Sequence, residues 1–311
     1  MTEQYLLLFG SAFLISVLAT PLVSKLAFRV GALDKPDKRK VHDKVMPRMG
    51  GVAVFAGFVA AALTQVDGNP KVIGLLLGGT LIFLLGLVDD IHGVSPKTKL
   101  LVQIVAACIV VAFGIRISFF NNPFNGYFYL GILSIPITIL WIVAVTNAVN
   151  LIDGLDGLAS GVSTIALLTF AVIAAQIGQT TVSILAFALA GAVLGFLRYN
   201  FYPAKIFLGD SGSMFLGYMI SVLAVFGLLK GVTMITFVTP ILVLGVPIFD
   251  TCFAILRRYS ENKPIFQADK KHIHHRLLSR GLSHPQAVLV IYFISMAFSA
   301  SALWMVRVGR F

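Results

Sequence analysis

The stretch that decides the fold is GILSIPITILWIVAVTNAVNLIDGLDGLASG, residues 131–161. Residues 131–149 contain no charged side chain, and a run of that length meets the roughly 17–25 apolar residues that a helix needs to cross a bilayer. The same stretch then sets Asp153 and Asp156 three residues apart among glycines. Carboxylates at membrane depth are costly, so their presence points to a cavity, a partner or a site.

Outward from this segment the apolar pattern recurs. The spacing predicts ten spans, at 5–25, 49–66, 71–89, 100–115, 131–149, 158–177, 181–198, 212–229, 232–256 and 285–306. Of 311 residues, 58% are hydrophobic and 12% charged, and the mean hydropathy is +0.93. A water-soluble core of this size has no use for such a balance. The expected class is therefore an all-α polytopic membrane protein, read as one integral-membrane domain over 1–311 because no linker, low-complexity tract or repeat divides it. Pro21 lies in VLATPLV with no small-x-small cleavage pattern, so the first span is expected to be a retained helix.

Lys and Arg accumulate in short cytoplasmic loops. With the 24–49 loop placed inside, nineteen of the 24 Lys and Arg fall on that side, leaving Lys71, Arg116, Lys230, Arg307 and Arg310 on the other. Both termini are then expected outside, as an even number of spans requires. The net charge of +11 suits nucleic acid, anionic lipid or an anionic substrate. No soluble basic domain exists, which argues against nucleic acid; topology explains part of the excess and phosphate handling at the cytoplasmic face the rest. Cys108 and Cys252 lie in apolar runs, where a thiol acts as a small hydrophobe, and imply no disulfide.

Thirteen acids are present, and only Glu3 and Asp67 fall outside. Five of the others sit in compact settings: GLVDDIHG (Asp89, Asp90), LIDGLDG (Asp153, Asp156) and FLGDSGS (Asp210). At the end of a helix, one of Asp89 and Asp90 can bind a cation while the other accepts a proton. Asp153 and Asp156, spaced i, i+3, share a face if they lie on a helical turn. No Lys or Arg is read as buried beside these acids, so they would repel one another. A divalent cation resolves that repulsion, and oxygen-only ligands favour Mg²⁺, with Mn²⁺ as substitute, over zinc.

Three cytoplasmic loops supply the positive counterpart: LDKPDKRKVHDKVMPRMGG, LRYNFYPAKIFLGDSGS and RRYSENKPIFQADKKHIHHRLLSRGLSH. Cations and free backbone N–H groups both suit phosphate, and pyrophosphate in particular. HIHHRL gathers His272, His274, His275 and Arg276; it lacks a zinc-site pattern, and its side chains suit phosphate or sugar oxygens. Asn200 and Phe207 flank YPAKI, where an amide could read a base edge and a ring could stack on it.

PRMGG, GLVDDIHGVSPKTKL, NAVNLIDGLDGLASG, NFYPAKIFLGDSGS and HIHHRL occur in the order seen in the polyprenyl-phosphate N-acetylhexosamine-1-phosphate transferases, of glycosyltransferase family 4 type, which the chain resembles from about residue 30 to 280. The resemblance implies about ten transmembrane helices, an active site on the cytoplasmic face and, in many members, a homodimer. It also implies the reaction: a UDP-activated amino sugar gives its sugar-1-phosphate to undecaprenyl phosphate, releasing UMP. On that likeness Asp210 is the Mg²⁺ ligand, and Asp89 the base or orienting group for the lipid phosphate, with Asp90 beside it. Asp153 and Asp156 match the pair near metal and nucleotide, with Asp153 as a second metal ligand and Asn150 among the substrate contacts. Asn200 and Phe207 match the uridine-reading positions, and His272, His274, His275 and Arg276 the pyrophosphate and sugar contacts.

HIHHRL is similar to the form in the UDP-GlcNAc enzymes that begin teichoic acid, O-antigen or common-antigen synthesis in the bacterial plasma membrane, with an epimer such as UDP-GalNAc as the open alternative donor. The phospho-N-acetylmuramoyl-pentapeptide transferases typically carry three consecutive histidines and PTMGG. Two partners at the membrane, UDP-GlcNAc and undecaprenyl phosphate, are both anions, and Mg²⁺ with Lys40, His42, Arg48 and Arg276 would share the neutralisation. Phosphoryl transfer needs mostly positioning and charge compensation, which favours direct attack over an aspartyl-phosphate. A secondary transporter is the rival of another class, but transporters place their acids near the midplane. CDP-alcohol phosphotransferases also use Asp-Gly pairs, yet DGLDGLASG lacks their following Arg.

Overall fold

The computed structural model describes residues 2–34, 36, 45–66, 68–121, 127–227, 234–262 and 271–308. Lys40 and His42 lie outside the described residues. The helices are α1 (Thr2–Val30), α2 (Gly51–Ala62, continued by a 3₁₀ turn at Leu63–Gln65), α3 (Pro70–His92), α4 (Pro96–Ala112) and α5 (Ser134–Leu151, preceded by a 3₁₀ turn at Gly131–Leu133). They continue as α6 (Leu158–Gln176), α7 (Thr180–Asn200), α8 (Gly209–Gly227), α9 (Met234–Val243), α10 (Gly245–Ser260), α11 (Ile273–Ser279) and α12 (His284–Val308). Two short antiparallel pairs complete the described structure: β1 (Leu33–Asp34) with β2 (Met46–Pro47), and β3 (Phe119–Asn121) with β4 (Tyr127–Tyr129).

Local chemistry sets the ends of the helices that carry the acids. Asn69 accepts a hydrogen bond from Lys71 N–H (3.1 Å) with Pro70 at the first helical position, which starts α3. Ser95 does the same for Thr98 N–H (3.2 Å) ahead of Pro96 in α4. Gly93, with φ +74°, stops α3 one residue past His92, so Asp89 and Asp90 occupy its last turn.

Helix α8 is the axis of the bundle. Every residue from Ser211 to Gly227 is buried, as expected of a helix apolar on all sides. It packs against α3 and α5 most extensively, and also against α2, α6 and α7. Small residues allow this crowding: a Cβ on Gly51 would strike the backbone of Ser211 and Gly212, and one on Gly86 would strike the backbone of Asp210 and Ser211. The start of α8 is thus pinned between α2 and α3.

The all-α membrane class holds. Among the described residues seven helices are long and apolar enough to cross a membrane: the expected spans at 5–25, 71–89, 131–149, 158–177, 181–198, 212–229 and 285–306. Three expectations are modified. The 49–66 span is a shorter apolar helix, and the 100–115 span is the 17-residue α4. The 232–256 span is two helices divided at Leu244, where Pro240, Gly245 and Pro247 cluster and a continuous ladder would lose N–H donors. Pro21 is accommodated within α1 without ending it.

Candidate active site

Asp90 organises the site. Its Oδ1 accepts from Asp210 N–H (2.8 Å), and its Oδ2 accepts from Ser211 N–H (3.1 Å) and Ser211 Oγ–H (2.6 Å). These are donors that the first turn of α8 cannot satisfy itself. Arg48 adds Nε at 3.2 Å and a second guanidinium nitrogen at 3.1 Å, both to Oδ1. Gly209 takes φ +73° to turn the chain into α8, where a Cβ would collide with the Asp90 carboxylate. Asp90 therefore caps α8 from another helix, and its lone pairs are occupied by the protein.

Asp89 and Asp210 are different. Asp89 Oδ1 accepts from Val94 N–H at 2.6 Å, and its Oδ2 lies 2.8 Å from Lys99 Nζ and 3.6 Å from Arg48. Asp210 Oδ2 lies 2.6 Å from the same Lys99 nitrogen; its Oδ1 is 3.9 Å from Arg48 and accepts a long bond from Asn150 Nδ2 (3.4 Å). Asn150 Nδ2 also donates to Ser213 Oγ at 2.8 Å, which ties α5 to α8. One carboxylate oxygen from each of Asp89, Asp90 and Asp210 can be found within 4.8 Å of the others. Within that cluster Asp89 and Asp210, rather than the fully engaged Asp90, are the carboxylates whose oxygens suit a hard divalent cation.

The expectation that the acids have no basic neighbour is corrected. Lys99, from SPKTKL, bridges Asp89 and Asp210, and Arg48, from PRMGG, joins Asp90. Burial works against the Arg48 charge, but Asp90, Asp210 and Asp34 outweigh it and hold its pKa above the ordinary value. In the sequence Lys99 is one of two lysines in the short SPKTKL loop. Its signal was its place four residues beyond a Ser-Pro helix start, facing back toward VDD.

Asp153 and Asp156 do not share a helical face. Residues 152–157 form a non-helical turn between α5 and α6, and the two side chains go separate ways. Asp153 lies in the field of Asp210 and Asp90; lost hydration first, then those two charges, push it up to about 8 against the opposing pull of Arg48. It falls outside the three-carboxylate cluster. Asp156 Oδ2 accepts from Ala204 N–H (2.9 Å), and Asp156 N–H donates to His284 Nε2 (2.8 Å). Tyr292 Oη donates to Gly157 carbonyl at 2.5 Å, so α12 holds the same turn.

Asn200 is buried and engaged at both ends: Nδ2 donates to Ile206 carbonyl (3.0 Å) and Oδ1 accepts from Ser160 Oγ (2.8 Å). It shapes the loop before α8. Phe207 is part of that loop's seam with PRMGG: Phe207 N–H donates to Pro47 carbonyl (2.8 Å), Gly50 N–H to Phe207 carbonyl (3.0 Å) and Gly51 N–H to Leu208 carbonyl (2.8 Å).

HIHHRL forms the short helix α11 and its cap. His272 is buried, with Nδ1 2.8 Å from Asp250 Oδ2, while Ile273 N–H donates to Asp250 Oδ1 at 2.9 Å. His274 is buried directly over Gly154, filling the space where a Cβ would stand. His275 lies against it, ring centroids 4.1 Å apart, and Arg276 is exposed. The motif thus meets the Asp153–Gly154 turn. Asp250 was not singled out from the sequence, although an acid inside LGVPIFDTCFAIL was a visible signal.

Burial first, then the neighbouring His275 and His272, push His274 down to about 3. Its ring is neutral at physiological pH. An unfolded histidine titrates near 6.5, so between about pH 3 and 6.5 the unfolded chain binds the extra proton and stability falls as the pH drops. The apparent Tm in detergent is expected to decrease from pH 7.5 to 5, and His274→Gln to flatten that slope. An equally steep slope in the variant would assign the acid lability elsewhere.

A bundle of membrane-length helices with a carboxylate, lysine and arginine centre at the start of its axial helix defines a class: polytopic membrane proteins with a charged site at one end of the bundle. Residues 72–228 match the family Glycosyl transferase family 4, and the chain belongs to that family. It is 48% identical over 309 residues to the probable undecaprenyl-phosphate N-acetylglucosaminyl 1-phosphate transferase of Bacillus subtilis, covering 97% of this chain and 86% of that protein. It is 37% identical to the decaprenyl-phosphate N-acetylglucosaminephosphotransferase of Mycobacterium tuberculosis, over 91% of this chain and 78% of that one. It is 33% identical to the phospho-N-acetylmuramoyl-pentapeptide-transferase of Clostridium botulinum, over 93% and 92%.

Proposed function

We propose that this protein transfers GlcNAc-1-phosphate from UDP-GlcNAc to undecaprenyl phosphate, giving undecaprenyl-diphospho-GlcNAc and UMP, at the cytoplasmic face of a bacterial plasma membrane. One observation carries the reading. Four of the motifs, PRMGG, VDDIHG, NLIDG and FLGDSGS, meet at one end of α8 around Asp210. The greater identity to the N-acetylglucosaminyl 1-phosphate transferase than to the muramoyl-pentapeptide transferase supports the donor assignment.

The chemistry is a substitution at the phosphorus that bears the sugar. A lipid phosphate oxygen forms the new P–O bond, and the bond to the bridging oxygen of UMP breaks. Asp89 Oδ2 and Asp210 are the carboxylates we assign to hold Mg²⁺, with Asp153 in the field of Asp210. When bound, that ion screens the phosphate charges and stabilises charge on the departing UMP. Lys99 and Arg48 add fixed positive charge at the same place, where a low-dielectric setting strengthens it. Asp90 holds Arg48 and the start of α8 in register, and Asp156 holds the turn that carries Asp153. The other oxygen of Asp89, Oδ1, which accepts from Val94 N–H, is assigned to orient the attacking phosphate and to accept its proton where one is present.

Purified protein with undecaprenyl phosphate and Mg²⁺ is expected to release UMP from UDP-GlcNAc, and not from UDP-N-acetylmuramoyl-pentapeptide. Release from the muramoyl donor alone would move the protein to the other branch, and uptake of label into sealed vesicles without UMP formation would favour a transporter. Asp89→Asn is expected to lower kcat at least about a hundredfold, the scale of a lost acid–base group, with nucleotide binding largely kept. An intact kcat would remove Asp89 from the reaction.

A further inference from the structure

Asp250 is a buried acid on α10 that the proposed chemistry does not use. It spends both oxygens on the beginning of α11: Oδ2 meets His272 Nδ1 at 2.8 Å and Oδ1 accepts from Ile273 N–H at 2.9 Å. A carboxylate oxygen only accepts, so His272 Nδ1 carries the proton of this bond. Both side chains are nearly inaccessible, at 9% and 5% exposure, and so unavailable to substrate by this edge. Two residues further on, the His274 ring is parallel to that of His272, centroids 6.0 Å apart, and rests on Gly154. From there the chain leads straight to Asp153, in the field of Asp210. A bidentate carboxylate thus fixes both the position and the rotation of a seven-residue helix, too short to hold its own geometry.

We propose that Asp250 is a positioning residue for the sugar-nucleotide half of the site: by gripping His272 and the Ile273 amide it seats α11 so that His274 presses on Gly154 and His275 and Arg276 are presented beside the Asp153 turn. The proposal rests on the reading of the site as a UDP-sugar phosphotransferase. Its consequence is an asymmetry between the substrates. Loosening α11 disturbs the donor side, while Asp89, Lys99 and Arg48 stay where other elements hold them.

The test uses the full-length protein in detergent, with UMP release measured against each substrate in turn. Asp250→Leu is expected to raise the KM for UDP-GlcNAc at least tenfold and to leave that for undecaprenyl phosphate within about twofold. Asp250→Asn keeps an acceptor for Ile273 N–H and offers an N–H to the other His272 tautomer, so its donor KM is expected to return to within about threefold of the parent. Asp250→Leu combined with His272→Leu removes the buried imidazole left unpaired by the single change, so that Ile273 N–H alone loses its acceptor, and so relieves most of the folding penalty; it is expected to keep the raised donor KM. A parental donor KM in that double variant would overturn the proposal, since packing alone would then seat the helix. An equal rise in both KM values, or a fall in kcat alone, would overturn it too.

Hydrogen exchange at amides 273–279 needs no substrate. It is expected to be at least tenfold faster in Asp250→Leu and in the double variant, and unchanged protection would refute the proposal. Failure of the parent protein to release UMP from UDP-GlcNAc would defeat the functional reading instead, and the exchange rates would still decide whether Asp250 seats α11.

Discussion

Asp210→Asn is expected to cut UMP release by at least about a thousandfold, the upper range for losing one preorganised electrostatic group. The substitution keeps the side chain's size and one oxygen, and the Asp210 backbone N–H still donates to Asp90. The start of α8 therefore stays capped. What is lost is charge at the point where Lys99, Arg48 and Asn150 converge, and with it the affinity of the proposed Mg²⁺ site. The expected signature is a large loss of kcat, a higher half-saturating Mg²⁺ and an apparent Tm that falls only slightly, because Lys99 loses one carboxylate partner but keeps Asp89. Asp90→Asn should be the more destabilising change. There the cap and the Arg48 contact are damaged, so the Tm should fall. An Asp210→Asn enzyme that keeps its turnover at limiting Mg²⁺ would remove Asp210 from metal binding, and a matching fall in Tm would recast it as structural.

The contrast between the two acids shows what the sequence could and could not convey. Hydrophobic run length is a local property, so seven of the expected spans are recovered as single helices. The division at Leu244 was also local, written in Pro240, Gly245 and Pro247, but a run of 25 apolar residues hides it from a count of hydropathy. The motifs that join at Asp210 were all legible as motifs. Their division of labour was not, because it depends on which oxygen meets which donor across helices. Nothing in VDD says that Asp90 accepts from residues 210 and 211 while Asp89 turns to Lys99. Likewise the i, i+3 spacing of Asp153 and Asp156 suggested a common face, and the glycines beside them made a turn instead. Asn200 and Asp156 were marked for ligand contact, and both hold the loop before α8. Lys99 and Asp250 were passed over for the reverse reason: each is a single residue whose partners lie on other helices or in another loop.

Lys99→Met should move two observables in opposite directions. The Lys99 ammonium lies 2.8 Å from Asp89 and 2.6 Å from Asp210, between the carboxylates proposed to hold the ion. Positive charge there opposes entry of a cation, so its removal should lower the half-saturating Mg²⁺. The same charge compensates the phosphates as they are brought together, so its removal should lower kcat by about a hundredfold, as for other groups of this kind. Stability supplies a third check. In EDTA the variant leaves Asp89 and Asp210 facing each other without the lysine, and its apparent Tm should fall by several degrees for a loss of about 1–2 kcal/mol. Saturating Mg²⁺ binds the folded state and should restore it. Lys99→Arg should not rescue turnover, because a planar fork cannot replace a compact ammonium between two oxygens. A higher Mg²⁺ requirement in Lys99→Met would mean that the lysine and the ion occupy different places, with Lys99 acting on substrate phosphate alone. A Tm that falls equally with and without Mg²⁺ would make Lys99 a structural strut between α3, α4 and α8.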